Sequence, residues 1–92
     1  MAEKRARLIV RGVVQGIGYR YFAQKMAKQS NLQGWVKNQP DGSVELAVEG
    51  DESDIERLIA SLKQKHPWAK VDAVEIEWQP YAGEFQTFEI TY

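Results

Sequence analysis

Val13-Val14-Gln15-Gly16-Ile17-Gly18-Tyr19-Arg20 is the stretch on which the fold turns. It leaves a β-branched segment, places two glycines close together, and enters an amphipathic segment. That order predicts a strand, a short loop and a helix. Gly16 and Gly18 accept backbone angles closed to other residues and carry no Cβ, so the N–H groups of the loop can turn toward one point. The helix behind adds unpaired N–H groups and the positive end of its dipole. Such a concavity suits a phosphate or a carboxylate. Arg20, near the helix start, supplies a permanent charge and a planar fork of donors. Over this stretch alone, a plain strand-to-helix turn with a surface arginine fits equally well.

Upstream, Leu8 and Val10 alternate with Arg7, Ile9 and Arg11, which predicts a first strand over 6–13. Ile9 is apolar as well, so the strand is expected to be covered on both faces and central. Downstream, Phe22, Ala23, Met26, Ala27 and Leu32 recur at helical spacing over 20–32, with Gln24, Lys25, Lys28 and Gln29 facing away. Asn31 or Gly34 can take the left-handed turn that ends it. A second strand is expected over 35–39, and Pro40-Asp41-Gly42 is turn chemistry. Val44, Leu46 and Val48 alternate with Ser43, Glu45 and Glu49, predicting a strand buried on one side and a hairpin with the second.

Asp51 with Asp54, or Ser53 with Glu56, opens a second helix. Its apolar stripe is Ile55, Leu58, Ile59 and Leu62, and Pro67 lies beyond its end. Val74, Ile76 and Trp78 alternate with Glu75 and Glu77 as a fourth strand. Residues 79–83 are expected as a loop. Phe88, Ile90 and Tyr92 alternate with Thr87, Glu89 and Thr91 as a fifth strand. The pattern βαββαβ plus one strand predicts an α+β, ferredoxin-like sandwich as a single domain over 1–92. Right-handed crossovers give a mostly antiparallel sheet in the order 4-1-3-2, with both helices on one face. Trp35, Trp78, Phe22, Phe85 and Phe88 are expected to pack in the core and on the sheet faces.

Ninety-two residues suffice for one modest core. Twelve Lys and Arg against 13 Asp and Glu leave the chain near neutral, which speaks against a nucleic-acid partner recruited by bulk charge. There is no cysteine, so disulfides, thiolate catalysis and Cys-ligated metals are excluded. No apolar run approaches the roughly 20 residues of a membrane span. The charged N-terminus does not read as a secretory signal, and a cytoplasmic location is expected.

Two segments resemble the signatures of the acylphosphatase family. The first is Val10-Arg11-Gly12-Val13-Val14-Gln15-Gly16-Ile17-Gly18-Tyr19-Arg20. The second is Gly34-Trp35-Val36-Lys37-Asn38 followed by Gly42, Ser43, Val44 and Gly50. Order and spacing match, and the likeness spans nearly the whole chain. Ile17 and Tyr19 stand where Val and Phe are more usual. The resemblance implies hydrolysis of acyl phosphates to a carboxylate and inorganic phosphate. Arg20 then binds the phosphate, Asn38 orients the attacking water, and the N–H groups of Gln15, Gly16, Ile17, Gly18, Tyr19 and Arg20 complete the cradle. It further implies no metal and no cofactor, a small-molecule substrate and a monomer.

The chemistry is consistent with these residue types. Cysteine phosphatases place the nucleophile six positions before the loop arginine, and Val14 stands there. From Val10 to Val44 the only acid is Asp41, in the turn, so a carboxylate-held metal is not expected. His66, the only histidine, sits beside Pro67 at a helix end and is expected to be solvated. A positive cradle and an amide remain. They can serve an acyl phosphate, whose carboxylate leaves readily, through positioning and charge stabilisation. Asn38 can direct a water but cannot take its proton. Lys37 is expected on the opposite sheet face, and Tyr19 and Tyr21 at the mouth of the site. Gln15 is open between loop shaping and no role.

Two alternatives stay open. The same fold serves RNA-recognition modules, but the third strand carries two acids and no aromatic residue. A carbamoyl-phosphate-handling domain, as found at the front of hydrogenase-maturation enzymes, shares the signatures. Whether Asn38 reaches the glycine loop depends on the register of the second strand.

Overall fold

The computed structural model describes residues 2–92. The elements run β1 (Glu3–Val13), α1 (Tyr19–Gln29), β2 (Gln33–Asn38), β3 (Val44–Asp51), α2 (Glu52–Gln64), β4 (Lys70–Pro80) and β5 (Phe88–Ile90). The strands form one sheet in the order β4-β1-β3-β2-β5. Pairing is antiparallel except between β2 and β5, which run parallel. This is the expected ferredoxin-like α+β fold, with the added strand on the β2 edge.

Alternation sets the faces. Ala6, Leu8 and Val10 of β1, Val36 of β2, and Val44, Leu46 and Val48 of β3 point to one side. There they form one buried cluster with Ala23 and Ala27 of α1 and Ile55, Leu58, Ile59 and Leu62 of α2. Both helices therefore cover the same face. Each fully buried Val, Leu or Ile side chain among them stabilises the fold by about 1.5–3 kcal/mol.

Several boundaries differ from expectation. α1 ends at Gln29, three residues early, because Asn31 adopts a left-handed φ of 58°. The Leu32 N–H then bonds the Ala27 carbonyl at 3.0 Å and the Asn31 N–H that of Lys28 at 3.1 Å, which closes the helix end. β2 begins at Gln33, since Gly34 pairs with both Val48 and Phe88. Gln79 and Pro80 continue β4 opposite Arg5 and Lys4. The fifth strand stops at Ile90, and Tyr92 is 98% exposed.

β3 is buried on both sides rather than one. On the outer face Glu45 accepts from Arg7 and Gln39. Glu49, 1% exposed, accepts the backbone N–H groups of Ala82, Gly83 and Glu84 at 2.8, 3.1 and 3.0 Å. The β4–β5 connection thus folds over this face. A charged residue reads as solvent-facing in the pattern, but here the carboxylate is the anchor that holds a loop down.

The aromatics divide. Phe88 is core and Phe22 packs against it. Trp35 and Phe85 are half-buried, the first beneath Lys37 and the second beneath Arg5. Trp78 departs from the expected packing and is 42% exposed. It lies on edge strand β4, opposite Ala6 on the helix-covered face. An edge strand has a neighbour on one side only, so its face is only partly covered.

Candidate active site

The glycine loop joins β1 to α1. Gly16 and Gly18 have φ values of 79° and 74°, and Gly18 is the N-cap of α1. No side chain caps this helix and no acid stands in its first turn. Its first helical bond runs from the Phe22 N–H to the Gly18 carbonyl, which leaves the N–H groups before Phe22 without helical partners. α2 is built differently. Asp51 accepts the Ser53 N–H, and Glu52 and Asp54 lie in the first turn. The positive end of α2 is answered by its own side chains, while that of α1 is left open.

Four of the five arginines pair with carboxylates: Arg5 with Glu84, Arg7 with Glu45, Arg11 with Glu75 and Asp41, and Arg57 with Asp54. Arg20 does not, among the described residues. Its guanidinium donates to the Thr91 carbonyl at 3.1 Å and lies over the Tyr92 ring, 4.5 Å from the centroid. The chain after β5 therefore steadies this cation without neutralising it.

Asn38 ends β2 opposite Val44. Gly34, Val36 and Asn38 alternate onto the helix-covered face, and Lys37 turns to the other, as expected. This register brings Asn38 to the loop. Gly16, Gly18, Arg20 and Asn38 line one cleft of about 330 Å³, together with Val14, Ile90, Tyr19, Tyr21 and Tyr92. Gln15 lies outside this lining. Its side-chain amide donates to the carbonyls of Gln39 and Ser43, each at 2.8 Å, and so ties the loop to the β2–β3 turn. Asp41 shapes that turn by accepting from the Ser43 N–H and hydroxyl, which with Arg11 hold its carboxyl down at about 2.

Three residues make contacts to which the sequence did not point. Tyr19 lines the cleft beside Tyr21, as expected, but its hydroxyl is engaged elsewhere. It is 1% exposed, its phenol pushed up by burial, and its hydroxyl donates to Leu62 of α2 at 2.7 Å. His66 is half-buried rather than solvated, with Nε2 3.1 Å from the Ile17 carbonyl. Ile17 itself packs against the core. No local signal announces these contacts, which join positions 43 and 49 residues apart. Among the described residues, no group of three His, Asp or Glu side chains is arranged to hold a metal ion.

Fold and cleft together define a small α+β domain with an open helix end, an unneutralised arginine and an amide gathered at one end of the sheet. The sequence matches the acylphosphatase family over residues 6–90, and the chain belongs to that family. It is 47% identical over 89 residues to an acylphosphatase of Aeropyrum pernix, covering 96% of this chain and 88% of that one. The crystal structure of an acylphosphatase from Bacillus subtilis superposes with a TM-score of 0.92 at 37% identity, covering 97% of this chain and 99% of that one. A segment of the T. kodakarensis HypF structure aligns with a TM-score of 0.84 at 38% identity, over 97% of this chain but 12% of HypF.

Proposed function

We propose that this chain hydrolyses the carboxyl–phosphate bond of acyl phosphates, without a metal or cofactor. The phosphate dianion sits among the N–H groups from Gln15 to Arg20, beside the Arg20 guanidinium. Asn38 directs a water at phosphorus. The water oxygen bonds to phosphorus as the bond from phosphorus to the acyl oxygen breaks, and the carboxylate leaves with the electron pair. A phosphate oxygen of the substrate takes the water's proton, since an amide cannot. The cradle contributes charge stabilisation and alignment, which suffice for a mixed anhydride with a stable leaving group.

The observation that carries this assignment is Arg20, kept free of carboxylates in the same cleft as Asn38 and the uncapped start of α1. The test is hydrolysis of benzoyl phosphate with a chelator present. Turnover unaffected by the chelator is expected, and its absence would overturn the assignment. Carbamoyl phosphate, the substrate of the alternative reading that shares the two signatures, is the second substrate to try, and the ratio of the two kcat/KM values decides between them. We read the chain as a single catalytic domain acting as a cytosolic monomer on a small molecule, with no nucleic-acid partner, and sedimentation of the pure protein tests the monomer. No helix among the described residues is long and apolar enough to cross a membrane.

A further inference from the structure

His66 follows α2 and reaches back to the glycine loop. Its Nδ1 accepts the Trp68 N–H at 3.2 Å. A ring nitrogen that accepts holds no proton, so the neutral ring carries its proton on Nε2, and Nε2 donates to the Ile17 carbonyl at 3.1 Å. The ring is seated before it donates. Phe22 meets it edge-on at 5.1 Å and an interplanar angle of 87°, and Tyr19 and Trp68 stand at 5.8 and 6.0 Å.

The Ile17 carbonyl shares a peptide plane with the Gly18 N–H. That plane is rigid and trans, so fixing the carbonyl fixes the opposite direction of the N–H. Gly18, with no Cβ and a φ of 74°, brings no side chain of its own to hold this plane, and it lines the cleft. We propose that His66 is a positioning residue of the anion cradle: its Nε2–H holds the Ile17–Gly18 peptide so that the Gly18 N–H stays aimed for an anion. The phosphate-binding role of the loop proposed above underlies this assignment.

Two variants separate the hydrogen bond from the packing. His66→Phe keeps an aromatic ring against Phe22 and Tyr19 and loses the donor. His66→Gln can place a donor near the position of Nε2. Inorganic phosphate is the probe, with its affinity read by calorimetry and through the Gly18 amide resonance, alongside benzoyl phosphate kinetics. For His66→Phe, phosphate affinity should fall and KM should rise by about 3- to 10-fold, the value of one neutral hydrogen bond. kcat should change less, and His66→Gln should recover most of the loss. A His66→Phe variant with parental phosphate affinity would overturn the proposal, as would equal losses in both variants. The unmodified protein gives a reading independent of folding, since the nitrogen shifts of His66 report its tautomer and a proton on Nδ1 sinks the proposal. If the parent neither binds phosphate nor hydrolyses benzoyl phosphate, the cradle itself fails and this role fails with it. An active parent matched by His66→Phe removes only the role of His66.

Discussion

The Tyr19 hydroxyl donates to the Leu62 carbonyl at 2.7 Å, joining the first residue of α1 to the last turn of α2. Leu62 lies among the final residues of its helix, whose carbonyls have no partner within the helix. The bond satisfies one of them in a place water does not reach, since Tyr19 and Leu62 are at most 1% exposed. Tyr19→Phe keeps the ring and strands that carbonyl. A loss of about 1–2 kcal/mol of stability is expected in urea titration. A variant as stable as the parent would show that another donor takes over.

Arg20 and Asn38 share a cleft but are expected to fail differently. Arg20→Ala removes the cleft's cation. It should lower kcat/KM by about 10²–10³-fold or more and abolish phosphate binding. Stability should fall by no more than about 1–2 kcal/mol, through the lost Thr91 hydrogen bond and Tyr92 contact. Asn38→Ala should lower kcat by about 10²-fold while phosphate affinity changes little, because the amide serves the water rather than the anion. Full activity in Arg20→Ala would disprove the assignment.

Glu49 tests the opposite separation. Its carboxylate accepts three backbone N–H groups of the β4–β5 connection, with Arg5 3.7 Å away. Glu49→Gln puts an amide N–H₂ against donors in a buried place. A loss of about 2–3 kcal/mol is expected, from a charge-assisted network broken without a substitute. Turnover well below the melting transition should stay near that of the parent, since the cleft lies on the other face. Unchanged stability would mean that the connection is not held by this carboxylate.

Acid should weaken the fold through the turn beside the cleft. Ser43 and then Arg11 hold Asp41 at about 2, below its ordinary 3.8. Hydrogen bonds from Ser53 lower Asp51, and one from Arg11 lowers Glu75. A depressed folded-state pKa stabilises the fold above the unfolded value and ceases to as pH falls through the folded one. Stability should therefore hold at neutral pH and decline as the pH falls below about 4 toward 2. Asp41→Asn should flatten part of this limb. Urea midpoints across that range measure it, and an identical acid limb in the variant would exclude Asp41 as a contributor.

Much of the molecule was legible from short-range chemistry. The stripe Ile55, Leu58, Ile59 and Leu62 was read from helical spacing and is the buried face of α2. Either Asp51 or Ser53 could have capped that helix, and Asp51 does. The glycine loop and Arg20 stood out because backbone freedom and fixed charge are properties of the residues themselves. Asn38 was named through the family resemblance, and its spacing alone did not say that it would meet the loop.

Sequence by itself determined the order of elements, the crossover topology and the chemistry available at the end of β1. Those follow from periodicity, turn residues and chain handedness, all set within a few positions. Tertiary structure alone decided that β3 is buried twice over, that Glu49 anchors a loop, that Tyr19 reaches Leu62 and that His66 braces Ile17. Each depends on a hydrogen bond between groups 30 or more residues apart, and such a bond leaves no trace in the local pattern. The register of β2 against β3, which brings Asn38 into the cleft with Arg20, spans a short hairpin, yet the turn residues alone did not fix it. A shift of one residue would turn Asn38 to the opposite face.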